Sequence, residues 1–135
     1  MSERPIVLYA CVRNSGRSVA AKVLTEHYAG DRIEVRSAGS DPGQGINPLV
    51  EQALAERGLS AAAEFPRQLD PETVRTSDIV ITMGCGESCP YLPRKRCEDW
   101  VIDDPAGQDI DTVRRIVDDV DTRVRGLVDE LTNRG

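Results

Sequence analysis

The stretch Ile6-Val7-Leu8-Tyr9-Ala10-Cys11-Val12-Arg13-Asn14-Ser15-Gly16-Arg17-Ser18 decides how this chain is read. Residues 6–10 are apolar without alternation and stop abruptly at Cys11, the pattern of a short strand buried on both faces of a parallel sheet. From about Gly16 to Tyr28, Ala20, Val23, Leu24 and His27 fall on one face of a helix, and Gly30 suits its C-terminal cap. Between strand and helix stand Cys, five residues and Arg. A tight turn there aims successive backbone N–H groups at one point, and the helix N-terminus adds partial positive charge. A tetrahedral oxyanion fits such a cup, built from Val12, Arg13, Asn14, Ser15, Gly16, Arg17 and Ser18. Arg17 can fork across two oxygens. The same field stabilises a thiolate at Cys11 and makes it a nucleophile. Ser18 is placed to bond the sulfur and Asn14 to brace the loop. The Gly-Lys pair of a nucleotide-binding phosphate loop is missing, which argues against a nucleotide ligand.

Outward from this stretch, residues 33–37 alternate as a second strand and lead into the Gly/Pro-rich loop SAGSDPGQG. Asn47-Pro48 is a helix start, with Val50, Ala53, Leu54 and Leu59 as its inner face and Gly58 at its end. Asp70-Pro71-Glu72 repeats the signal for a short helix. Residues 79–81 form a third strand running into Met83, and residues 100–102 a fourth, ending at Asp103-Asp104-Pro105. GCGESCPYLPRKRC, between those two strands, reads as a loop. Val113, Ile116, Val117, Val120, Val124, Leu127, Val128 and Leu131 give a long final helix. Strands alternating with helices predict an α/β fold: a single doubly wound four-stranded parallel sheet with helices on both faces, as one domain over 1–135. Ligands of such sheets sit beyond the carboxyl ends of the strands, where Cys11, Cys85 and Asp104 all fall.

With 23 acidic and 17 basic residues among 135, the net charge is -6. That argues against a nucleic-acid or anionic-membrane partner, which needs a basic face. No apolar run approaches a membrane span. The start, MSERPIVLYA, lacks the parts of a signal peptide and reads as mature and cytoplasmic. The four cysteines are Cys11, Cys85, Cys89 and Cys97. An even number suggests two static bridges, yet a cytosol keeps idle thiols reduced. Cys85 and Cys89 stand one helical turn apart, within disulfide reach if the segment is helical. Their Gly-rich surroundings permit the movement that thiol exchange requires. A zinc site on Cys85, Cys89 and Cys97 is the alternative, but the Cys-x2-Cys spacing and a nearby His are missing, so no metal is expected. Cys97, between Arg96 and Glu98, reads as an incidental thiol.

VLYACVRNSGRS resembles the signature of the low-molecular-weight protein tyrosine phosphatase fold. The later landmarks resemble the arsenate reductases built on that fold. They are Ser37-Ala38-Gly39, Gly45-Ile46-Asn47-Pro48, Cys89-Pro90 with Leu92-Pro93, and Trp100 before Asp103-Asp104-Pro105-Ala106-Gly107. The resemblance implies that Cys11 attacks arsenate and that Asp104, the Asp before Pro, is the general acid, with Asp103 the weaker choice. It implies a relay in which Cys85 attacks Cys11, arsenite leaves, and Cys89 takes over the disulfide. Phosphate and sulfate would compete for the cup. No cofactor is implied, and a monomer is expected. The reductant implied is thioredoxin, or mycothiol with mycoredoxin, since the Arg-, Asp-, Ala- and Val-rich composition looks like that of a high-GC bacterium. In the mycothiol route the distal cysteines are dispensable. Phosphatases of this fold carry aromatic residues after Asp-Pro, whereas Ala106-Gly107 stands here in a chain with one Phe, three Tyr and one Trp. A phosphatase acting through a Cys11 phosphoenzyme is the rival enzyme, and an oxyanion-binding or redox-sensing module the rival without turnover.

Three positions depart from the family pattern. Arg13 replaces a Gly, and is strained if that position needs a positive φ; if it does not, the extra cation would strengthen oxyanion binding. Gly16 replaces a Cys common in thioredoxin-linked members, so resolution must come from the distal loop. Lys22 and Arg67 replace the Glu and Asp that hold potassium in some members, so they should exclude the ion and stand in for it.

Overall fold

Two apolar runs that never alternate become the two central strands. β1 (Ile6–Cys11) and β3 (Ile79–Thr82) are buried on both faces in the computed structural model, which describes residues 4–83 and 96–132. β2 (Glu34–Gly39) and β4 (Arg96–Asp99) flank them, giving the order β2-β1-β3-β4 with every pair parallel. The order turns back on itself at β1 and β3, and such a switch point opens a crevice at the carboxyl ends of the strands. Cys11 is the last residue of β1 and lies opposite Gly39 of β2.

Helices cover both faces. Val7, Tyr9 and Ile81 pack in one cluster with Leu24 of α1 (Arg17–Ala29), Leu54 of α2 (Pro48–Ala55) and Val117 of α4 (Ile110–Thr132). Leu8 and Val80, one residue along each strand, face the other way and meet Val74 of α3 (Pro71–Arg75). Each such side chain contributes about 1.5–3 kcal/mol on burial. Tyr9 carries a polar atom into the larger cluster, so its hydroxyl pairs with Thr25 Oγ1 at 2.7 Å. Burial holds its phenol protonated well above the usual tyrosine range. Among the described residues no helix is long and apolar enough to cross a membrane.

Both Pro-led helix starts form as the sequence predicts. Asn47 Oδ1 accepts the N–H groups of Leu49 and Val50, and Asp70 accepts that of Thr73. Several boundaries differ. The fourth strand is residues 96–99 and not 100–102. Trp100 still donates to Thr82 O at 2.8 Å, but Val101 is 74% exposed and outside the ladder. Arg96, Glu98 and Asp99 hid this strand, since charged side chains are what an unprotected edge favours. The second helix ends at Ala55, and Gly58 serves a turn at φ +78°. His27 is exposed and rests edge-on against Tyr28, while Thr25 and Ala21 are buried in α1. Cys97 is half-buried beside the Leu8 and Val80 cluster and is disulfide-bonded, so it is not the incidental thiol its neighbours suggest. Cys85 and Cys89 lie outside the described residues.

Candidate active site

Beyond Cys11 the chain must reverse into α1 within five residues. Asn14 makes the reversal at φ +51°, a left-handed conformation that Asn tolerates better than most residues. Arg13 is not in that region, so it carries no such strain.

The loop is held from behind. The N–H groups of Ser40, Asp41, Gly43 and Asn47 donate to the carbonyls of Cys11, Val12, Arg13 and Ser15, at 3.2, 2.8, 2.9 and 2.8 Å. In a planar trans peptide the C=O and the following N–H point in opposite directions. Fixing those four carbonyls on residues 40–47 therefore turns the N–H groups of Val12, Arg13, Asn14 and Gly16 away from that segment, and Val12, Arg13 and Gly16 border the cavity. The close approach depends on Gly39. A Cβ there would lie 2.5 Å from Val12 O and 2.9 Å from Asn14 N. α1 has no side-chain cap and no acidic residue in its first turn, so its N-terminal field is available to an anion.

Below the loop a polar chain reaches the sulfur. The Arg67 N–H donates to Asn14 Oδ1 at 2.8 Å, and Asn14 Nδ2 donates to Ser18 Oγ at 2.7 Å. Ser18 Oγ lies 3.0 Å from Cys11 Sγ. Because the Ser18 oxygen accepts from Asn14, its own proton is free to be donated to the sulfur. Asn14 and Ser18 are fully buried, so this chain is shielded from water.

Above the loop is a cavity of about 230 Å³, walled by Cys11, Arg13, Arg17, Asn47, Asp104 and Ala106 among others. It lies below the 300–1,000 Å³ typical of organic ligands and suits a small ion. Arg17, 7% exposed, donates to Ile102 O at 3.3 Å and stands 3.8 Å from Asp104 Oδ2. Asp104 borders the cavity, and its other oxygen accepts the Ala106 N–H at 3.0 Å. Arg13 meets Asp41 at 3.0 Å on the exposed rim.

The structure thus brings together Cys11, Val12, Arg13, Ser15, Gly16, Arg17 and Asp104, with Asn14 and Ser18 beneath. Gly39, Asn47 and Pro105 belong to the same constellation without having been singled out for it. Their signals are the tight SAGSDPGQGIN run and the Pro after Asp104, which mark a turn, a helix start, landmarks of the resemblance and the acid, but not contacts with the Cys11 loop. Lys22 and Arg67 border a separate cavity of about 420 Å³. Lys22 pairs with Glu64 at 2.8 Å, and the Arg67 guanidinium lies over the Phe65 ring. What Arg67 offers Asn14 is its backbone N–H and not its charge. Among the described residues no cluster of three His, Cys, Asp or Glu side chains could hold a metal.

Residues 6–135 match the family model described as low molecular weight phosphotyrosine protein phosphatase. Arsenate reductase 1 of Bacillus cereus is 31% identical over 130 residues, covering 93% of this chain and 95% of its own length. A solved thioredoxin-dependent arsenate reductase from Corynebacterium glutamicum is 45% identical with a TM-score of 0.84; the match covers 96% of this chain and spans 63% of that one. An arsenate reductase from Archaeoglobus fulgidus is 37% identical with a TM-score of 0.78, over 90% of this chain and 98% of that one.

Proposed function

The chain belongs to the low molecular weight phosphotyrosine protein phosphatase family, and within it we propose that the protein reduces arsenate to arsenite with Cys11 as the nucleophile. The observation that carries this reading is the small cationic cavity over Cys11, bordered by Asp104 and Ala106 where an aromatic substrate would need a ring wall. The arsenate reductases similar to this chain at 31–45% identity support it over phosphoester hydrolysis.

Arsenate enters the cup of N–H groups, with Arg17 across two of its oxygens. The Cys11 thiolate attacks arsenic, Asp104 gives a proton to the departing oxygen, and water leaves. A second thiolate then attacks Cys11 Sγ. The electron pair of the S–As bond passes to arsenic, taking it from As(V) to As(III), and arsenite departs as a Cys11 disulfide forms. A third thiol takes over that disulfide, and an external dithiol returns both electrons. Cys85 is the first resolver and Cys89 the second in the simplest order. Cys97, disulfide-bonded in this state, joins Cys89 as a candidate for the second step. Thioredoxin is the proposed reductant, by analogy with the Corynebacterium glutamicum protein; the mycothiol and mycoredoxin route predicts dispensable distal cysteines. The protein acts as a cytoplasmic monomer.

The test is arsenate-dependent NADPH oxidation with either a thioredoxin or a mycothiol/mycoredoxin system. Wild type is compared with Cys11→Ser, Cys85→Ser, Cys89→Ser and Cys97→Ser. Activity with thioredoxin that is lost in Cys11→Ser and Cys85→Ser supports the proposal. No oxidation in either system, alongside hydrolysis of p-nitrophenyl phosphate, establishes the phosphatase instead.

A further inference from the structure

The first residues of α1 meet the segment that carries Asp104. Gly16 and Pro105 are both buried, and a Cβ on Gly16 would lie 2.8 Å from Pro105 Cγ. Packed carbon atoms sit at about 3.5–4.0 Å, so any side chain at position 16 collides with the proline ring where it now rests. The lack of a side chain at Gly16 is what lets Pro105 close on the oxyanion loop. The neighbours of this contact are the two groups of the chemistry. Arg17 follows Gly16 and bonds Ile102 O, and Asp104 precedes Pro105 at 3.8 Å from the Arg17 guanidinium. A proline ring fixes its own φ and restricts the residue before it. Displacing the ring therefore displaces Asp104, whose exposed carboxylate is otherwise held by the Ala106 N–H and by Arg17.

We propose that Gly16 is a positioning residue for the acid: its bare backbone seats Pro105, and that seat sets the distance between Asp104 and the anion. The inference rests on the reading of Asp104 as proton donor. A methyl group at position 16 must push the ring outward by about 0.7 Å to restore ordinary carbon contact. A misplacement of about 1 Å can cost on the order of 10²-fold in rate.

The experiment is a cycle of wild type, Gly16→Ala, Pro105→Ala and the double variant. The rate readout is kcat for whichever of arsenate reduction or p-nitrophenyl phosphate hydrolysis the wild type performs. Sulfate inhibition reports the cup, and backbone amide NMR shifts report the acid segment. Gly16→Ala is expected to lower kcat at least about tenfold, with sulfate affinity within about threefold of wild type. It should move the Asp104 and Ala106 amides. In the Pro105→Ala background, where the ring is gone, the same substitution should cost less than about twofold. An equal cost in both backgrounds overturns the proposal, as does a loss of sulfate affinity that matches the loss of kcat. Unmoved Asp104 and Ala106 amides overturn it even in a protein without turnover. Hydrolysis without arsenate reduction would sink the reductase reading and leave the cycle decisive for Gly16.

Discussion

Gly39→Ala is the substitution that most directly asks whether residues 40–47 shape the oxyanion cup. The new Cβ would stand 2.5 Å from Val12 O, 2.9 Å from Asn14 N and 3.0 Å from Arg13 C, all backbone of the loop after Cys11. An ordinary carbon–oxygen contact needs about 3.3 Å. One of the two strand ends must therefore give by about 0.8 Å, and no flexible side chain lies between them to absorb it. Overpacking of this size costs about 1–3 kcal/mol of stability. For a chain of this length that lowers Tm by about 4–12 °C. A catalytic loss comes on top of this, because the N–H donors themselves are displaced. A shift on the order of 1 Å costs about 10²-fold, which is about 2.7 kcal/mol of barrier. The assay is kcat/KM for arsenate well below the variant's melting temperature, paired with sulfate protection of Cys11 against iodoacetamide. Both should fall together, since donors that miss arsenate also miss sulfate. A variant that keeps more than about a third of wild-type kcat/KM refutes the reasoning that this close approach sets the donor geometry.

Arg17→Lys removes the two-pronged fork and the bond to Ile102 O, so kcat/KM should fall about 10²-fold or more while the fold survives; retained activity would show that a point charge suffices. Potassium chloride should raise neither Tm nor turnover above an equal concentration of sodium chloride, because Asn14 Oδ1 is already bonded to the Arg67 N–H and Lys22 to Glu64. A potassium-specific rise would mean that an ion does enter there. Asp70 has its carboxyl held below the usual carboxylate range by the Thr73 N–H at the start of α3. Its folded-state pKa lies below the unfolded one, so its stabilisation is complete above about pH 4 and is lost as pH falls through the folded value. Asp70→Asn should therefore differ from wild type in urea midpoint near neutrality and converge with it in acid; a gap that widens in acid would contradict the assignment.

What was legible in the sequence was whatever short-range chemistry encodes. The unalternating run at 6–10, the Asn47-Pro48 and Asp70-Pro71 starts and the long apolar stripe of α4 each carry their structure locally. The Cys-x5-Arg loop could be read because its residue types only make sense around an anion. The misread parts depend on distant partners. β4 is a strand because Thr82 and Val80 offer it a ladder, and its own charged residues argue against one. The bracing of the loop by residues 40–47 is written in backbone hydrogen bonds, which leave no trace in side-chain pattern. Gly16 reads as an absent cysteine in sequence, and only the fold shows that Pro105 occupies its space.

A two-electron reduction at Cys11 yields two products that can be counted in a single turnover. Fully reduced protein is mixed with excess arsenate and no external reductant, then quenched for arsenite and free thiol. One arsenite should be released and two thiols lost per chain, with neither event in Cys11→Ser. No arsenite and an unchanged thiol count would contradict it.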